Sequence, residues 1–164
     1  MALYDYLPTF HQVEPNNLKG LQPGFVVAQM EVKANSTLIT TNNGRSLLEN
    51  GHICSISKDG IDIWATGSAM FIHFTEPLNT VLNSDKYFAV ELANENPRLV
   101  QLIPGDEWMT DIDYETDPKY TAIKEELMKH IVKIADTDGQ SKDDWFKVTT
   151  LADGTTAYHY MYLG

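Results

Sequence analysis

"HICSISKDGIDIWAT", residues 52–66, decides the fold class. Two runs rich in apolar and β-branched residues flank Lys58-Asp59-Gly60. An Asp-Gly step between such runs is the chemistry of a tight β-hairpin, because glycine accepts the left-handed backbone that such a turn demands. In the second run Ile61, Ile63 and Ala65 fall on one face, and Asp62, Trp64 and Thr66 on the other. That alternation predicts antiparallel strands half covered by a core. Cys54, the single cysteine, reads as a small buried hydrophobe rather than a nucleophile. With one cysteine there is no intrachain disulfide and no thiolate zinc site within one chain.

Similar runs lie on both sides. "FVVAQMEV" starts at Phe25, "AMFIHFT" at Ala69, "KYFAVEL" at Lys86, "RLVQLI" at Arg98 and "EWMTDIDY" at Glu107. In "KYFAVEL", Tyr87, Ala89 and Glu91 oppose Phe88, Val90 and Leu92. Short strands with turn residues at close spacing predict an antiparallel barrel or sandwich. The pattern changes at Asp117-Pro118, which reads as a helix cap followed by proline at the first helical position. Tyr120, Ile123, Leu127, Ile131 and Ile134 then form one apolar stripe on a helix expected to run to about Ala135, with Glu125 and Lys129 as a supporting pair. "DWFKVTTL" and "TTAYHYMYL", joined around Asp153-Gly154, predict a second hairpin.

The expected class is therefore mainly β, with a C-terminal helix plus β-hairpin, α+β overall. Three parts are expected. Residues 1–23 form an extended arm, punctuated by Pro8, Pro15, Gly20 and Pro23 but carrying Tyr4, Tyr6 and Phe10, and expected to dock on this domain, a sister subunit or another protein. Residues 24–113 form a β-rich domain, and residues 114–164 a helix-and-hairpin lobe. A chain of 164 residues buries about 70% of its unfolded surface, so no disulfide or metal staple is needed.

Charge and leader chemistry exclude other classes. The formal net charge is -11, which repels phosphate backbones and anionic lipid, so direct nucleic-acid and membrane partners are not expected. The first residues show neither a basic n-region nor a long apolar run, and no stretch approaches the ~20 apolar residues of a spanning helix. Without a secretion signal the glycosylation sequon at Asn35 carries no weight.

Two acidic stretches are candidate sites. "GDEWMTDIDYETDP", residues 105–118, holds Asp106, Glu107, Asp111, Asp113, Glu115 and Asp117. On a strand, Trp108, Thr110, Ile112 and Tyr114 share one face, while Met109, Asp111 and Asp113 share the other. Asp111 and Asp113 then repel unless solvated or bridged by a cation. No histidine stands beside them to complete a ligand set, and Asp117 already caps the helix. The run reads as a solvated seam whose outward charges block strand-to-strand aggregation. "DTDGQSKDD", with Asp136, Asp138, Ser141, Asp143 and Asp144, offers oxygens to calcium. Its spacing fails the calcium-loop template, since Ile134 and Trp145 fall where carboxylates are required. It reads as a polar loop. His11, His52, His73, His130 and His159 are dispersed, Ser68 lacks the glycines of a nucleophile elbow, and there is no phosphate-cradling loop. No catalytic residue, metal ligand or cofactor is assigned.

Read in order, "GFVVAQ" from Gly24, "ENGHICSIS" from Glu49, "FIHFTEPLN" from Phe71, "KYFAVEL" from Lys86 and "PRLVQLIPGDEWMTD" from Pro97 carry a family likeness. This order resembles the small head decoration, or cement, proteins of tailed bacteriophages. The resemblance spans about Gly24 to Asp111, and the segment after Tyr114 lies outside it. It implies a non-enzymatic structural virion protein that binds the major capsid protein on the capsid exterior. Such proteins assemble in the host cytoplasm, as trimers or single copies on capsomers. An acidic exterior and a lone cysteine agree with that setting. Two alternatives stay open. One is a tail, baseplate or carbohydrate-binding β-module, with Trp64 and Trp108 as stacking faces. The other is a small metal-dependent hydrolase using Asp111 and Asp113.

Overall fold

The computed structural model describes residues 18–19, 28–75, 89–93, 95–110, 112–133 and 158–164. Asp111, the calcium-like loop 136–144, "DWFKVTTL", the second hairpin turn, and Tyr4, Tyr6, Phe10 and His11 lie outside them. The fold is mainly β and antiparallel, with a curled half-barrel sheet and, among the described residues, one α-helix, as the hydrophobic alternation predicts.

The described chain divides into two compact units, with the boundary between Gln101 and Leu102. Strand β1 (Leu18–Lys19) belongs to the second. The first holds β2 (Ala28–Gln29), β3 (Thr40–Asn42), β4 (Arg45–Glu49), β5 (Ile53–Ser57), β6 (Gly60–Ile63), β7 (Phe71–His73), β8 (Ala89–Glu91) and β9 (Arg98–Gln101). The second continues with β10 (Glu107–Thr110), a 3-10 turn (Pro118–Tyr120), α1 (Lys124–His130), β11 (Ile131–Lys133) and β12 (Tyr158–Tyr162).

In the first unit the hairpin read from Lys58-Asp59-Gly60 joins β5 to β6, with Ser57 opposite Gly60. Five strands follow the order β2-β9-β7-β5-β6, every pairing antiparallel. The chain just after β2 then reaches the far edge. Val32 bridges Ile61 in parallel, Ile61 N–H donates to Glu31 O at 2.9 Å, and Lys33 N–H donates to Ile61 O at 2.9 Å. One stretch of chain thus serves both edges of the sheet and curls it. Gly60 permits this approach. A Cβ there would lie 2.6 Å from Glu31 O, and its φ of +115° suits glycine alone. A smaller sheet, β3-β4-β8, adds Leu48 to the core formed by Leu38, Cys54, Ile61, Phe71 and Leu99. Cys54 is wholly buried, and burial pushes its thiol up, as a structural cysteine requires.

The face assignment fails at Trp64 and Ala65, and at Ala89 and Val90, which are assigned opposite faces but are both buried. Trp64 lies just past β6 and is buried, with its indole N–H donating to Ser68 O at 3.0 Å, whereas Ala65 is exposed. The strand ends at Ile63, so alternation no longer governs the next residue.

In the second unit the order is β1-β10-β12-β11, again antiparallel. Leu18, in the arm, pairs with Trp108, which pairs in turn with Tyr160. Trp108, Thr110, Ile112 and Tyr114 are all buried, the face that the alternation predicts. Trp108, Tyr114, Tyr120 and Tyr160 form an aromatic core. Tyr114 meets Tyr120 edge-on at 5.1 Å and Tyr160 at 4.7 Å between ring centroids. Each such pair contributes about 1 kcal/mol beyond its area.

Asp117 caps as expected, its carboxylate accepting from Lys119 N–H at 2.8 Å with Pro118 next. The helix is shorter than the stripe implies. It ends at His130, and Ile131–Lys133 become β11 against Tyr160–Tyr162. Tyr120, Leu127 and Ile131 of the stripe are buried and Ile123 is half-buried, while Ile134 lies outside the described residues; the β-branched pair Ile131-Val132 satisfies its backbone on a neighbouring strand instead. Lys129 bonds Glu126 rather than Glu125.

Candidate functional site

The acidic run is not one surface. Its described members have separate tasks. Asp106 closes a turn: its carboxylate accepts from Ile103 N–H at 2.9 Å, and its own N–H donates to Ile103 O. Burial pushes this carboxyl up against that bond. Glu107 on β10 faces His159 on β12, with 3.7 Å between Oε2 and Nε2. Asp117 caps the 3-10 turn.

Asp113 departs from the solvated reading. Its Oδ1 accepts from Lys133 Nζ at 2.8 Å, Tyr160 O–H at 3.1 Å and Glu115 N–H at 3.2 Å. Lys133 also reaches Glu115 Oε2 at 3.0 Å and lies 4.6 Å from the centroid of the Tyr158 ring. Burial raises the Asp113 carboxyl, but Lys133, the Glu115 amide and Tyr160 outweigh it and hold it below the ordinary value. Burial lowers the Lys133 ammonium, and Asp113 and Glu115 outweigh that, leaving it raised. Burial, with Tyr114 and Asp113, pushes the Tyr160 phenol up. An ionised carboxylate with three donors on one oxygen is a lock between β11, β12 and the 112–115 segment, not a proton shuttle.

A second polar assembly, in the first unit, is invisible in sequence. His73 Nδ1 bonds Glu49 O at 2.7 Å, and Nε2 bonds Thr75 Oγ1 at 2.8 Å. A carbonyl only accepts, so Nδ1 carries the proton. Nε2 then accepts from the Thr75 hydroxyl, whose oxygen accepts from Arg98 N–H at 2.9 Å. Asn50 completes the assembly, donating to Thr75 O at 3.1 Å and accepting from Thr75 N–H at 3.0 Å. Gly51 N–H donates to His73 O, and His73 N–H to His52 O, each at 2.9 Å. Every member except Arg98 is buried. Burial pushes His73 down to about 4, against the Glu49 bond. The ring is a neutral strut joining β4, β7 and β9. It joins three short segments, 49–52, 73–75 and Arg98, through bonds that span 23 to 25 residues, and no spacing rule links them.

Trp64 and Trp108 are both buried, so neither presents a face for sugar stacking. Among the described residues no group of three or more His, Cys, Asp or Glu is arranged to hold a metal ion, and no helix is long and apolar enough to cross a membrane.

What remains is surface. Among the described residues two large hydrophobics are exposed, Ile103 at 63% and Leu163 at 50%. They sit on two segments that run together in the second unit. Gly105 N–H donates to Tyr162 O at 2.8 Å, Tyr162 N–H donates to Asp106 O at 2.9 Å, and a Cβ on Gly164 would lie 3.2 Å from Pro104 Cγ. Leu163 N–H donates to His130 O at 2.7 Å. The two exposed side chains therefore stand on segments that backbone bonds hold together, the corner of the second unit. The sequence does not reveal it, because Ile103 and Leu163 close the strand-like runs "RLVQLI" and "TTAYHYMYL". No family model, curated protein or solved structure matches the chain.

Proposed function

We propose that this chain is a structural virion protein that binds the outer surface of a tailed-phage capsid and stabilises it. The observation that carries the reading is the corner bearing Ile103 and Leu163, an apolar surface fixed by backbone hydrogen bonds in a strongly acidic chain. A rigid apolar spot loses little conformational freedom on docking, which favours attachment to a repeating lattice. The resemblance over residues 24–111 supplies the partner, the major capsid protein. The net charge of -11 supports a basic or apolar acceptor surface and disfavours the packaged nucleic acid. Copies sit on capsomers singly or as trimers.

The test mixes purified protein with undecorated capsids. Saturable, stoichiometric co-sedimentation is expected, with greater resistance of the particles to heat or low salt. Substituting Ile103→Asp together with Leu163→Asp should leave the fold intact and abolish binding. Failure of the wild-type chain to co-sediment contradicts the reading, and full binding by the double variant removes the corner from it.

A further inference from the structure

The chain contains two Asn-Gly steps, Asn43-Gly44 and Asn50-Gly51, only seven positions apart. An Asn-Gly step invites a particular reaction, because glycine offers no side chain to hinder attack by its backbone nitrogen on the preceding amide. The fold treats the two steps in opposite ways, and we propose that Asn43 is a built-in site of spontaneous deamidation while Asn50 is shielded.

Asn43 and Gly44 form the two-residue turn between β3 and β4, with Asn42 opposite Arg45 in the ladder. Both turn residues have left-handed backbone, φ 49° and 77°. This is the geometry of a tight hairpin turn, which directs their N–H groups away from the ladder. Both are exposed, and no heavy atom lies within 4 Å of a Cβ built on Gly44. Water and hydroxide therefore reach the amide and its attacking nitrogen.

Asn50-Gly51 has the same chemistry and the reverse setting. The side-chain amide is buried and bonded at both ends to the Thr75 backbone. The nitrogen that would attack, Gly51 N–H, donates to His73 O at 2.9 Å. Electrophile and nucleophile are thus each held by a partner, and reaction requires those bonds to open together.

The step balances without a co-reactant other than water. Base removes the Gly44 amide proton, and the nitrogen forms a bond to Asn43 Cγ. The Cγ–NH2 bond breaks and ammonia leaves with a proton from water. Water then opens the succinimide at either carbonyl. Cleavage of the new Cγ–N bond gives aspartate. Cleavage of the original peptide C–N bond gives isoaspartate, with the main chain rerouted through Cβ and Cγ. Both products add a negative charge to the exposed tip of β3–β4, and the second lengthens the turn and disturbs the Asn42↔Arg45 pair.

The test incubates the intact folded protein at mildly alkaline pH and follows each asparagine by peptide mapping, with a parallel sample in denaturant. In the folded sample Asn43 is expected to convert to a mixture of aspartate and isoaspartate, faster as pH rises. Asn50 is expected to convert roughly a hundredfold more slowly, since three hydrogen bonds must open first, each worth a factor of roughly five. In denaturant the two sites should converge. Equal folded-state rates at both sites, or Asn43 intact after Asn50 has reacted in denaturant, overturns the proposal.

Discussion

In the unit spanning 28–101 the buried polar assembly is neutral. His73, Thr75 and Asn50 exchange hydrogen bonds with one another and with backbone, and no formal charge takes part in those bonds. In the unit formed by 102–164 with Leu18–Lys19 the corresponding tie is ionic, Lys133 between Asp113 and Glu115, wrapped by tyrosines. The contrast follows from depth. His73 is wholly enclosed, where an ion would be costly and a tautomer-specific chain of bonds is cheaper. Lys133 and Asp113 keep 23% and 18% of their side-chain surface, enough hydration to stay charged. The two units should therefore answer differently to acid and to salt.

The largest break is expected at Gly60. Gly60→Ala brings a Cβ against Glu31 O and forces alanine to a φ of +115°, so the 31–33 segment must leave the edge of β6. A loss of about 4 kcal/mol is expected, confined to the first unit and read as hydrogen-exchange protection lost in peptides from 53–63. Unchanged protection there would mean that the sheet does not depend on that bridge. Next comes Tyr114→Phe in the second unit. It removes the acceptor of the Trp108 indole N–H, 3.1 Å away in the aromatic core. Leaving that buried donor unmet costs about 2 kcal/mol in urea denaturation. A third substitution, Lys133→Met, should cost about 1 kcal/mol and make the second unit's stability less salt-dependent than the wild type's. A salt response equal to wild type would remove the ionic tie from the comparison. The smallest effect is Ile103→Ser, expected within about 0.5 kcal/mol by thermal denaturation, since the side chain is already in water. A larger loss would mean that the corner is part of the core.

The sequence shows the fold best where one residue type has one physical reading. The chain had to reverse at Lys58-Asp59-Gly60, the face Trp108-Thr110-Ile112-Tyr114 had to be buried, and Asp117-Pro118 had to begin a helical turn. The β3–β4 hairpin escaped notice although Asn43-Gly44 is a stronger turn signal than Asp59-Gly60, because its flanks Thr40, Thr41 and Ser46 are polar and show no alternation. The apolar stripe overstates the helix because Ile131 fits both a helical stripe and a strand, and pairing with Tyr162 decides between them. Asp113 was read as wet because its partners, Lys133 and Tyr160, are 20 and 47 residues away. The His73 assembly was beyond reach for the same reason. Long-range pairing, not local propensity, makes both.

The central structural claim is that a neutral histidine strut ties the buried interior of one unit, whose Lys33–Asp62 pair lies nearer the surface, while Lys133 with Asp113 and Glu115 ties the other. A histidine held down at about 4 in the folded state, against an ordinary 6.5, contributes stability fully present above pH 6.5 and lost as pH falls toward 4. The shift corresponds to about 3 kcal/mol. Asp113, lowered from an ordinary 3.8, contributes stability that persists until pH falls below that ordinary value. Peptide-resolved unfolding in urea across pH 7.5 to 4, for wild type and His73→Gln, tests this directly. Residues 47–75 of the wild type should lose stability progressively below about pH 6.5 while residues 102–133 hold theirs, and His73→Gln should flatten the slope of the first unit. Simultaneous loss in both units, or the same slope after His73 is replaced, would contradict the account.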